Sequence, residues 1–237
     1  MLRRNWLIIA LFGIGLLIFL YPHIARYSTS IEQEAVIHTF QEEIMQVTET
    51  EAKQRIESIA KCNEIIFENP EVFQDPFSFQ SSVEGAIDCT NHAIDEDIFA
   101  VLEIPKLKIR EPIYIGATVE NLNIGVAQVE GSSLPIGGLN THSVLAGHRG
   151  GIIREQFQHL DKLNEGDVFH IHVLNEIISY RITGQEVILP HETDSLQIQP
   201  EHDLSTLITC HPYGSNTHRL LIHAERIDPS KNQASSE

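Results

Sequence analysis

Cys210 closes the apolar run Leu204-Ser-Thr-Leu-Ile-Thr-Cys210. A seven-residue loop, His211-Pro-Tyr-Gly-Ser-Asn-Thr217, then leads through His218 to Arg219, at the head of a second apolar run. If the two runs pair as neighbouring strands, Cys210 and Arg219 face each other at their ends. A guanidinium beside a thiol favours the thiolate, the form that attacks a carbonyl carbon. The plainer reading is a small apolar residue buried at a strand end. His148 lies in Thr141-His-Ser-Val-Leu-Ala-Gly-His-Arg-Gly-Gly151, a strand running into a glycine-rich turn, where catalytic side chains are often displayed. The chain has 13 histidines, so presence alone nominates none of them. His170 and His172 share one face of a strand by its two-residue period, which raises a metal site. No further ligand cluster accompanies them, and no metal is expected.

These residues need a scaffold. From Ile98 onward, short β-rich runs alternate with turn signals: Phe99–Ile104, Ile109–Ile115, Ser143–Ala146, Asp167–Leu174, Glu176–Ile182, Ser205–Cys210 and Arg219–Arg226. The fourth and fifth flank a tight turn at Asn175 and read as a hairpin. Many short strands with few helices predict a closed β-barrel or a sandwich. Upstream, Ile31 to about Phe67 lacks proline and glycine. Its apolar residues (Val36, Ile37, Phe40, Ile44, Val47, Ala52, Ile56, Ile59) recur mostly at three- and four-residue steps, with one five-residue step from Val47 to Ala52. That pattern predicts an amphipathic helix packed on a neighbour. Asn69-Pro70 stops it, and residues 69–83 read as a loop whose Phe73, Phe77 and Phe79 must dock on a surface.

At the N-terminus, Trp6 to Tyr21 is an uninterrupted apolar run behind Arg3 and Arg4. A cleaved signal peptide and a membrane anchor both fit such a start. The anchor is favoured, because no small residue stands two positions before Ala25 and the run extended to Ala25 is long enough to span. Basic residues stay on the cytoplasmic side, which places the remainder outside the cell. The net charge of −17 argues against nucleic acid as a partner. It is unevenly spread: residues 1–27 hold three arginines and no acid, residues 28–99 hold 16 acids against 3 bases, and the rest holds 17 against 10. The expected organisation is an anchor (1–27), a helical segment with its loop (28–97), a β-domain (98–227) and a polar tail (228–237). Three cysteines are too few for a disulfide scaffold or a four-cysteine zinc site. Cys62 and Cys89 either bridge, leaving Cys210 free, or remain thiols.

Thr206-Leu-Ile-Thr-Cys210 resembles the TLxTC signature of sortases, the cysteine transpeptidases of Gram-positive cell surfaces; Thr206, Leu207 and Thr209 carry it with Cys210. His148, Cys210 and Arg219 also fall in the sortase order. Three longer blocks are similar to class C, pilin-polymerising sortases: Ser143–Gly150, Leu160–Leu174 and Thr209–Leu220. Asp75-Pro76-Phe77 resembles the Asp-Pro-aromatic lid of that class. Class C sortases commonly carry a second membrane segment after the barrel, where this chain has a polar tail.

The resemblance implies a sortase-type β-barrel preceded by a membrane helix, an amphipathic helix and a lid loop. It implies that Cys210 attacks the Thr–Gly carbonyl of an LPxTG-like sorting signal. His148 would serve as acid and base, and Arg219 would hold substrate and stabilise the oxyanion. A pilin lysine or a cell-wall peptide amine would resolve the thioester, with no cofactor. In the lid, Asp75 would reach towards Arg219 while Phe77 shields Cys210. The alternatives are a housekeeping-type sortase that anchors proteins to the wall, a secreted cysteine peptidase that only hydrolyses, and a non-catalytic, membrane-tethered β-domain.

Overall fold

The computed structural model describes residues 2–69, 73, 75–77, 98–151, 154 and 156–227. Two helices come first, α1 (Leu2–Gln46) and α2 (Glu49–Glu68). The strands are β1 (Ala100–Ile104), β2 (Ile109–Ile115), β3 (Val126–Gln128), β4 (Thr141–Ala146), β5 (Val168–Val173), β6 (Glu176–Ile188), β7 (Asp203–His211) and β8 (His218–Arg226), with a short helix α3 (Val119–Ile124) before β3. They close into a barrel in the order β1-β2-β3-β4-β7-β8-β6-β5. The closed barrel, rather than a sandwich, is what the strand spacing resolves into. Among the described residues, closure leaves no edge strand exposed.

The helical region corrects the expected single helix over Ile31–Phe67. The chain breaks at Val47–Thr48, where the apolar pattern takes its five-residue step. Thr48 caps α2 with a reciprocal capping box: its hydroxyl accepts from the Glu51 amide (3.3 Å), and the Glu51 carboxylate accepts from the Thr48 amide (3.0 Å). The first helix also runs unbroken from the apolar N-terminal stretch, through Pro22, to Gln46. It is long and apolar enough to cross a membrane, and Trp6, Ile9, Leu11, Phe12, Leu17, Phe19 and Tyr27 are exposed along it.

Both helices pack on the barrel by one stripe. Ile37, Phe40 and Ile44 of α1 bury against Ile98, Val101 and Tyr114. From α2, Ile59, Cys62 and Ile66 join the main core with Phe157, Leu160, Phe169 and Tyr180. Asn63 is buried among them and behaves like a strand neighbour: its amide donates to the Leu134 carbonyl (3.1 Å) and accepts from the Leu134 amide (2.7 Å). Cys62 is disulfide-bonded; Cys89 lies outside the described residues.

Alternation along the strands separates two apolar layers. Leu207 of β7, Leu220 and Ile222 of β8 and Leu145 of β4 enter the main core. Ile208, Leu221, Val144 and Ala146 point to the other face, where Phe73 and Leu122 cover them and Phe77 packs alongside. Phe79, the third loop aromatic, lies outside the described residues.

Candidate active site

The two-residue period continues past the strand ends. His148 follows Val144 and Ala146 in parity, Cys210 follows Thr206 and Ile208, and Arg219 precedes Leu221. All three therefore belong to the face under Phe73 and Phe77. The register brings them to one rim. β4 runs parallel to β7 with Ala146 opposite Ile208, and β7 runs antiparallel to β8 with Cys210 opposite Arg219.

The threonines of the Thr-Leu-x-Thr-Cys run do different work. Thr209 points inward and its hydroxyl donates to the Gly147 carbonyl (2.7 Å), tying β7 to the residue before His148. Thr206 points outward; its hydroxyl lies 2.8 Å from His142 Nε2 and 3.0 Å from His223 Nδ1. Leu207 is fully buried in the main core. Gly147 is constrained by contact, since a Cβ there would meet the Phe157 ring at 2.8 Å.

Arg219 is almost fully buried, at 3% exposure. Its Nε donates to Asp75 Oδ1 (2.6 Å) and its second terminal nitrogen to Asp75 Oδ2 (2.7 Å), a bidentate pair. Its other terminal nitrogen donates to the carbonyls of Asn216 (3.1 Å) and His218 (2.9 Å). Burial alone would lower the guanidinium, but the Asp75 carboxylate outweighs it and holds Arg219 above its ordinary pKa. The Phe77 ring lies 5.2 Å from the guanidinium carbon and 6.0 Å from the His148 ring, tilted 44° to the latter. Asp75 and Phe77, with Pro76 between them, thus sit on the face that carries Cys210.

Cys210 is half-buried and is the free cysteine among the described residues. Burial pushes its thiol up; Arg219 and Arg149 pull it down, and Asp75 pushes it up again, leaving it above the ordinary thiol value. His148 is half-buried, and burial lowers its imidazole. Neutral thiol and neutral imidazole are therefore the prevailing forms near pH 7, and the thiolate–imidazolium pair is the minor one. Among the described residues no side chain hydrogen-bonds the His148 ring; its position is held through the backbone instead.

Two positioning residues carry no signal in the sequence. Gln156, buried at 3% exposure, accepts from the His148 amide (3.1 Å) and donates to the carbonyls of Leu122 and Gly125 (3.0 Å each). Arg149 donates to the Cys210 carbonyl (3.2 Å) and to His211 Nδ1 (2.6 Å), and pairs with Asp161 (3.3 Å). Single glutamines and arginines have no spacing rule; only their neighbours reveal them. For His170 and His172, the structure supplies separate partners: Ser179 at 2.8 Å and Glu103 at 2.7 Å. Among the described residues no cluster suited to a metal occurs.

A family model described as the Sortase domain matches residues 102–227. Among solved structures, sortase C1 of pilus island 1 of group B Streptococcus is 34% identical, with 83% of this chain and 92% of that chain covered and a TM-score of 0.76. Sortase C of Streptococcus pneumoniae is 33% identical over 82% and 97% of the two chains, with a TM-score of 0.75. Sortase C of Clostridium perfringens SM101 is 36% identical over 82% and 99%, with a TM-score of 0.68. A curated relative, sortase D of Bacillus subtilis (strain 168), is 28% identical over 130 residues; the match takes in 54% of this chain and 63% of that protein, less than two thirds of its length.

Proposed function

This chain belongs to the sortase family, and from that premise we propose that it is a membrane-anchored, class C cysteine transpeptidase that joins sorting-signal proteins to an amine. The observation that carries the reading is Cys210 set opposite Arg219 on adjoining strands, with His148 at the same rim and the Asp75–Phe77 segment over them. The solved relatives include a sortase C with a pilin substrate and one from a pilus island, which favours a pilin as the protein acted upon.

The chemistry follows from the charges. The minor thiolate form of Cys210 attacks the Thr–Gly carbonyl of an LPxTG-like signal, and a tetrahedral oxyanion develops. Arg219, freed from Asp75 when the segment swings away, supplies donors to that oxygen. His148 as imidazolium protonates the departing glycine amine, so the C–N bond breaks and a thioester remains. As neutral imidazole it then takes a proton from the incoming lysine or cell-wall amine, which attacks the thioester and releases Cys210. The closed segment keeps water and oxidants from the thiol between turnovers.

Mass spectrometry of the purified protein with a sorting-signal peptide tests this reading. We expect a covalent acyl-enzyme in the native protein and none in Cys210→Ala. An adduct surviving in that variant would overturn the assignment. Adding a lysine-bearing pilin separates ligation from simple hydrolysis, because a peptidase yields no joined product.

A further inference from the structure

The barrel rim that carries Cys210 is also the rim from which α1 departs. β3 runs parallel to β2 and antiparallel to β4, so the end of β4, the start of β3 and the start of β2 point to the same end of the barrel, with β2 extending four residues further because Val126 lies opposite Ile113. Gln33 of α1 donates to the Arg110 carbonyl at the start of β2 (2.6 Å), and the buried residues of α1 follow from there along the barrel. The N-terminal half of the helix therefore leaves past this rim.

Helix arithmetic sets its depth. Arg4 and Arg26 bound an uncharged stretch of helix about 33 Å long, matching a bilayer's hydrocarbon core of about 30 Å. Arg26 then falls at the outer boundary, and Gln33 about 10 Å beyond it. Headgroups fill the first ~5–7 Å of that interval. At this depth lies a cleft of about 420 Å³ between α1 and the β1–β2 turn. Arg26, Lys108, Arg110 and Arg154 line it, with Tyr27 beside them.

Four cations in one cleft are conspicuous on a chain of net charge −17. Two acids also line it: Glu34, paired with Arg110 at 3.3 Å, and Glu111. The cations outnumber them. Glu111 is buried at 6% exposure; Gln33 hydrogen-bonds its side chain and the Arg154 charge acts on it, while its Oε2 has no hydrogen-bond partner among the described residues. A ligand that satisfies both features carries a phosphate for the cations and a hydroxyl, able to donate or accept, for the Glu111 carboxyl. Tyr27 is of the aromatic type that settles at headgroup level.

The geometry points to a binding site for the headgroup of an anionic, hydroxyl-bearing phospholipid, which seats the catalytic rim against the outer membrane surface. The inference rests on the membrane-anchor reading of α1. Seated in this way, Cys210 works close to the bilayer, within reach of substrates that are themselves held there.

The test uses the full-length chain in detergent, examined by native mass spectrometry with equal amounts of phosphatidylglycerol and phosphatidylcholine of matched acyl chains. Phosphatidylglycerol should be retained preferentially. Lys108→Gln, at an exposed turn position, should weaken that preference about fivefold, as expected for one basic residue near an anionic lipid, and Lys108→Glu with Arg110→Glu should abolish it. Melting curves in the same detergent establish that the variants fold; Lys108→Gln keeps the test decisive if the double variant does not. Equal retention of both lipids by the native chain would overturn the proposal, as would an unchanged preference in Lys108→Gln. Displacement by soluble glycerol phosphate at the lipid's own concentration would also overturn it, pointing to a free polyol phosphate. Flotation with phosphatidylcholine vesicles reports the anchor separately. A chain that floats but lacks the lipid preference refutes the site alone, and a chain that does not float refutes the anchor.

Discussion

At Asp75 one carboxylate acts on two functional groups. It holds the Arg219 guanidinium by both oxygens, and its charge raises the pKa of the Cys210 thiol. Removing the charge while keeping the shape, as in Asp75→Asn, takes away that upward push and leaves the pull of Arg219 on the thiol. The midpoint of Cys210 alkylation against pH should move to lower pH, and alkylation at pH 7 should be faster than in the native protein. An unmoved midpoint would show that Asp75 does not govern the thiol. The residues of this site were the most legible part of the sequence, because Cys210 and Arg219 flank a short loop and pair across it. The bidentate Asp75–Arg219 geometry was not legible as chemistry: 144 residues separate the two, and only the resemblance linked them.

Elements read less evenly than residues. Each of the seven runs expected as strands forms a strand, most of them long enough to show alternation or β-branched enrichment. β3 has three residues and shows neither; its place comes from pairing with β2 and β4. The α1–α2 break was visible only as a slipped step at Val47–Ala52, since the Thr48 cap overrides the continuity of a proline-free stretch. The turn after β4 held the least legible contributor, Gln156. Its side chain ties the His148 amide to α3 and the start of β3. Gln156→Ala leaves two buried carbonyls without donors, a cost of about 1–3 kcal/mol each at most. We expect transpeptidation to drop through the rate constant, with little change in KM and an unaltered rate of Cys210 alkylation. Activity and alkylation falling together would indicate general disruption instead.

Across the whole molecule, two buried groups pull stability in opposite directions with pH. Burial lowers His142 from 6.5 to about 4, so the unfolded chain binds its proton more readily, and stability falls as pH drops from 6.5 towards 4. Burial raises Glu111 from 4.5 to about 7, so the folded chain keeps its proton longer, and stability falls as pH rises from 4.5 towards 7. Glu111→Gln removes the second effect alone. The variant should be more stable than the native chain at pH 8, by on the order of 3 kcal/mol, and indistinguishable at pH 4.5. Thermal melts of both proteins across that range give the comparison; no advantage at pH 8 would contradict the assignment.

The parallel pairing of β4 with β7 has a consequence for how the protein comes to be. Thr209 and Gly147 are 62 residues apart, and strands running side by side in the same direction cannot be joined by a tight hairpin. The chain between them must be gathered in before the contact forms, and loops of this length are entropically slow to close. Local pieces such as the β5–β6 and β7–β8 hairpins need no such gathering. Cys210 and Arg219 can therefore meet early, while His148 joins them only on barrel closure. A half-folded chain can hold Cys210 against Arg219 without His148 beside them, so the proposed catalytic rim is complete only once the barrel has closed.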